Sequence, residues 1–127
     1  MAKISIQQSP VFEAEVQVPR IGGKPVAVKF QFRFLDRAQI ADFIDAELQH
    51  GKDAAEAITQ PGTKLSDLTA KSEEFQLEQL KKIVAGWGFD DEFSDENLAA
   101  LVRSTASVPD AIINAYKNSY QGAREGN

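Results

Sequence analysis

The chain holds one histidine, His50, and no cysteine. That pair of facts removes thiolate catalysis, Cys-based zinc sites and any two-histidine metal centre. His50 stands beside Gly51, where the helical pattern predicts a helix end, so it reads as a partner for the helix dipole or as plain surface. The densest acidic cluster is Asp90, Asp91, Glu92, Asp95 and Glu96. Its spacing does not follow the Asp-x-Asp-x-Asp-Gly order of a calcium loop, and it reads as a solvated loop feeding a helix N-terminus. Gly22-Gly23 lacks the Lys-Ser/Thr and the following helix of a phosphate loop. No serine sits in a Gly-x-Ser-x-Gly elbow. Nothing here supports an enzyme, and no cofactor or metal is expected.

Aromatic residues lie among the same acids. Trp87, Phe89 and Phe93 flank Asp90, Asp91 and Glu92 within one short segment. Such large apolar groups usually close a core, and burial is the favoured role of all three. Exposed, they would anchor a protein partner, with the three acids as a polar rim. These six residues are the candidate binding site.

The bulk numbers restrict the partner. With 14 basic and 19 acidic side chains in 127 residues, the net charge is −5. An acidic chain with scattered Lys and Arg suits neither a nucleic-acid backbone nor an anionic membrane. No apolar run approaches the ~20 residues of a transmembrane helix. The start, Met1-Ala2-Lys3-Ile4-Ser5-Ile6, has no apolar leader, so a cytoplasmic location is expected.

The elements that would position the site follow from periodicity. Phe12, Ala14, Val16 and Val18 alternate with Glu13, Glu15 and Gln17; Val26, Val28, Phe30, Phe32 and Phe34 alternate with Lys29, Gln31 and Arg33. The loop between them runs from Pro19 to Pro25 and contains Gly22-Gly23, which predicts a β-hairpin. Pairing Val18 with Val26 sets Val16 on Val28, Ala14 on Phe30 and Phe12 on Phe32, and it sets Glu15 opposite Lys29. A slip of one residue would turn the apolar face into water. A two-stranded hairpin is marginal alone and leaves two edges, one of them free to pair with another chain in weak homo-oligomers.

Helices fill the rest. Asp36 and Gln39 have capping-box spacing, and Ile40, Phe43, Ile44 and Leu48 share one face before a stop at Gly51. A short helix is expected over residues 53–59, and residues 63–71 are ambiguous. Ser72 reads as an N-cap for a helix carrying Phe75, Leu80, Ile83, Val84 and Trp87, broken by Gly86 and Gly88. Ser94 caps a further helix with Leu98, Leu101 and Val102 inward. The last helix begins at Ser107-Val108-Pro109 and carries Ile112, Ile113, Tyr116 and Tyr120. The expected architecture is α+β: an N-terminal β-hairpin packed on about four or five helices. One domain should span residues 1–121, with a flexible tail at 122–127.

The strings Ile83-Val84-Ala85-Gly86-Trp87-Gly88, Phe93-Ser94-Asp95-Glu96-Asn97-Leu98 and Ala111-Ile112-Ile113-Asn114-Ala115-Tyr116 occur in this order. With the Val18-Pro19-Arg20-Ile21-Gly22-Gly23 turn and the strand Val28-Lys29-Phe30-Gln31-Phe32-Arg33, the chain resembles the tail assembly chaperones of long-tailed bacteriophages and prophages. The resemblance implies a non-enzymatic protein that binds the aggregation-prone tape measure protein and keeps it soluble while tail tube subunits gather. It implies absence from the finished virion, and a frameshifted longer form in a minority of copies. The alternative is an acidic nucleic-acid mimic that inhibits a DNA-binding protein. A small carboxylate-only enzyme is the third reading.

Overall fold

The computed structural model describes Ile6 and residues 10–124, with side chains as far as Gly122. Two strands open the fold: β1 (Val11–Val18) and β2 (Val26–Arg33). Helices α1 (Arg37–Ile58) and α2 (Leu65–Ile83) follow, then a third strand, β3 (Val84–Trp87), and helices α3 (Asp95–Ser104) and α4 (Ser107–Arg124). The class is α+β, with four helices among the described residues. The predicted tail from Gly122 overlaps the last turn of α4, and residues 125–127 lie outside the described residues.

The hairpin register follows the alternation of its side chains. Val18 pairs with Val26, Val16 with Val28, Ala14 with Phe30 and Phe12 with Phe32. Phe30 and Phe32 are fully buried and stack at 5.7 Å between ring centroids. Glu15 stands opposite Lys29 as expected, but the Lys29 ammonium makes its 3.6 Å ion pair diagonally, with Glu13. Both side chains are largely in water, so the pair adds little.

Among the described residues the sheet has three strands, in the order β1-β2-β3. The predicted helix through Trp87 therefore ends four residues early. Phe75, Leu80, Ile83, Val84 and Trp87 do fit a helical face, yet the second edge of β2 offers unpaired backbone groups. The segment Val84–Trp87 satisfies them as an antiparallel strand. Gln31 pairs with Gly86 and Phe32 with Val84, so Ala85 is an extra residue that bulges the strand.

Two helix starts and stops also differ from expectation. Gly51 does not end α1; the helix continues through the alanine-rich segment to Ile58. One interior glycine costs only about 1 kcal/mol, which good helix formers on both sides offset. The stop comes at Thr59, before Gln60-Pro61-Gly62, where Gly62 takes φ +78°. Ser72 caps nothing: α2 already starts at Leu65, absorbing the ambiguous segment, and Ser72 lies inside it. The capping box at Asp36 and Gln39 and the cap at Ser94 form as the sequence predicts.

The core lies between the sheet and helices α2, α3 and α4, with α1 contributing only one fully buried side chain, Phe43. Ile44 and Leu48, expected on the inner face of α1, are 43% and 63% exposed. Gln79 is the buried polar residue among those described; its amide donates to the Phe43 carbonyl at 3.1 Å, and its oxygen accepts from Lys82 at 3.0 Å.

Candidate functional site

At the end of β3 the chain leaves the sheet around Trp87. The Gly88 N–H still donates to the Lys29 carbonyl at 2.8 Å, which holds the exit close to β2. Trp87 is half-buried. Its ring meets Phe30, Phe89 and Phe93 edge-on, at centroid distances of 6.3, 5.2 and 5.0 Å. Phe89 also meets Phe30 edge-on at 5.8 Å. These edge-to-face contacts put ring hydrogens against π faces, the favoured aromatic geometry.

Two side chains pin the loop that follows. The Trp87 indole N–H donates to the Asp91 carbonyl at 2.9 Å, and the Asn97 amide donates to the Glu92 carbonyl at 2.7 Å. The Ser94 hydroxyl accepts from the Asn97 N–H at 3.1 Å and starts α3. The Asp91 and Glu92 carbonyls are thus held, and Asp90, Asp91 and Glu92 stand exposed. Asp95 and Glu96 add negative charge in the first turn of α3, where the helix dipole favours it.

The six candidate residues thus form one feature: three half-buried rings under three exposed acids. The rings turn part of their surface to the core through Phe30. Trp87 and Phe89 also border two hollows. One, of about 250 Å³, is bordered by Arg20, Trp87, Phe89 and Asp91 together with Asn97 and Ala100 on α3. The second, of about 280 Å³, lies between Phe89, Asp90 and the hairpin residues Val18, Arg20 and Val26. A third, of about 450 Å³, lies between Pro19, Arg20 and Ile21 and the α3–α4 junction at Ser104 to Val108.

Arg20 and Ile21 were not marked by the sequence reading. Ile21 is 89% exposed at the tip of the hairpin turn. An isoleucine between prolines and glycines in a polar turn was the available sign: the turn itself needs no apolar residue there. Arg20 borders all three hollows and supplies a cation beside the acidic loop.

The other end of the molecule has a larger hollow, of about 690 Å³, between Pro10, Arg33, Phe34, Asp42 and the pair Lys81 and Lys82. Its charges are mixed, and no nucleophile with an adjacent base lies in it. His50 is in mid-helix rather than at a helix end. Its ring stacks on Phe75 at 4.2 Å, with Nε2 3.5 Å from the Ser72 hydroxyl, so it joins α1 to α2. Among the described residues no group of three or more His, Asp or Glu side chains is placed to hold a metal, and no helix is long and apolar enough to cross a membrane.

The arrangement joins small hollows of mixed polar and apolar lining to a charged border. Among the curated proteins and among the solved structures there is no match to this chain. A family model described as phage tail assembly chaperone matches residues 1–127, the whole sequence. The chain belongs to the phage tail assembly chaperone family.

Proposed function

We propose that this protein binds the tape measure protein during phage tail assembly, keeps it soluble and is not retained in the virion. Family membership over the full length carries the reading. The chemistry of the surface supports it, because an acidic domain that covers apolar patches of a sticky partner keeps that partner dispersed. The proposed contact is the ledge of Trp87, Phe89 and Phe93, with Asp90, Asp91 and Glu92 as its rim. Tail tube subunits and a frameshifted longer form of the chain are further proposed partners. The work would be done in the host cytoplasm, without catalysis or a cofactor.

Co-expression with the tape measure protein of the same phage tests the function. Wild type should raise that protein's soluble yield and be captured with it, and capture should survive moderate salt because apolar contact dominates. No capture, with or without the frameshifted form, would reject the function. Undiminished capture by a folded Phe89→Ala variant would reject only the ledge.

A further inference from the structure

Helix α1 has a second apolar stripe that the fold leaves bare. Ala41, Ile44, Leu48, Gly51, Ala55 and Ile58 recur at alternating steps of three and four, the spacing of a coiled-coil seam. All six are exposed, with Leu48 at 63% and Ile58 at 69%. The inward stripe of the same helix is a different one: Phe43 is buried and His50 stacks on Phe75.

Gly51 makes this stripe unusual. It sits inside a 22-residue helix, where glycine is the poorest former after proline. A Cβ at Gly51 would meet nothing within 4 Å. Among the described residues no neighbour accounts for the missing side chain, but a close-packed second helix would.

The order of sizes along the stripe selects that helix. Laid against a second α1 running the other way, Ala41 meets Ile58, Ile44 meets Ala55 and Leu48 meets Gly51. Every large side chain then faces a small one, and each pair forms twice about a two-fold axis. A parallel pairing would set Leu48 on Leu48 and Gly51 on Gly51, crowding one layer and emptying the next. Charge agrees with the antiparallel choice. Asp45 and Lys52 lie on one flank of the stripe, both exposed and outside the ion pairs of the described residues. The antiparallel pairing brings Asp45 beside Lys52 of the copy, again twice. On the other flank Glu47 is already held by Lys117, at 2.8 Å.

We propose that α1 is a self-association surface, on which two copies of this chain pair as antiparallel helices through Leu48 and Gly51. This inference is independent of the tape measure reading.

Sedimentation of the full chain should show a concentration-dependent dimer. Leu48→Asp should weaken it about tenfold or more, and should leave the melting temperature unchanged at concentrations where the wild type is monomeric, because Leu48 is outside the core. Asp45→Lys and Lys52→Asp should each weaken the dimer alone and should recover wild-type affinity when mixed. The chain has no cysteine, so single spin labels can be placed cleanly. Labels at Gln49→Cys should lie near each other across the axis, whereas labels at Glu56→Cys should be about 20 Å apart along it. Short distances at both positions would mean parallel helices and would overturn the proposal. So would a dimer indifferent to Leu48→Asp, or a wild type that stays monomeric at high concentration. A monomer whose capture of the tape measure protein fails on Leu48→Asp would assign the seam to that partner instead and equally overturn it.

Discussion

The Tyr120 hydroxyl donates a 2.7 Å hydrogen bond to the carbonyl oxygen of Leu35, 85 positions earlier in the chain. One helical turn before it, Tyr116 does the same for the Arg33 carbonyl at 2.9 Å. The two bonds tie α4 to the end of β2 and satisfy carbonyls that the ladder no longer pairs. Tyr120→Phe should cost about 1–3 kcal/mol, because the buried Leu35 carbonyl loses its donor while the ring stays. Urea denaturation should show a lower midpoint with an unchanged slope.

Tyr116 also sets an alkaline limit. Burial pushes its phenol well above the usual range. Below about pH 10 both folded and unfolded chains hold the proton, so the stability it supports is fully present there. Above that, the unfolded chain releases the proton while the folded chain keeps it. Stability then falls with rising pH by about 1.4 kcal/mol per unit for this group, until the folded phenol itself ionises. Tyr116→Phe should remove that slope, a change visible in melts taken between pH 9 and 11.

Phe30→Ala should be among the most damaging single changes. The ring is fully buried and touches Phe32, Trp87 and Phe89. A loss of about 3–5 kcal/mol is expected. A thermal melt indistinguishable from wild type would contradict the packing of the hairpin on the helices.

The two glycines beside Trp87 should answer differently to alanine. A Cβ at Gly86 would come within 2.5 Å of the Gln31 side-chain oxygen, the movable end of a flexible group. A Cβ at Gly88 would lie 3.3 Å from the Lys29 carbonyl oxygen, which belongs to the central strand and already accepts the Gly88 N–H. Gly88→Ala should therefore cost about 1 kcal/mol or more, and Gly86→Ala less. Calorimetry of the two variants would rank them.

Much of this fold is written in short-range patterns. The hairpin register follows from alternation, since only one pairing buries Val16, Phe30 and Phe32 together. The caps at Asp36 and Ser94 are local, and both form. The strand Val84–Trp87 was hidden because its pairing partner lies over fifty residues away and its side chains also fit a helix. Gly51 misled because glycine marks a stop only where the next residues cannot continue the helix. The outward turn of Ile44 and Leu48 was hidden too: periodicity shows a stripe but not what covers it. At the candidate site, sequence adjacency was enough to group Trp87, Phe89 and Phe93 with Asp90, Asp91 and Glu92. The nearness of Arg20 and Ile21 depends on how the hairpin turn meets α3, which no local pattern encodes.

The packing of α4 against β1 has a bearing on how the chain is made. Synthesis delivers Phe12 and Val16 long before Tyr116, whose ring lies 5.9 Å from that of Phe12. At 5–20 residues per second the delay is roughly 5–20 s. Throughout that interval the apolar side of the hairpin lacks its α4 cover, and the part around Phe12 and Val16 can adhere to other nascent chains. A member of a chaperone family thus spends its own first seconds in the condition from which it would protect a client. Translation speed over residues 34–106, rather than equilibrium stability alone, should then govern how much of it reaches the folded state.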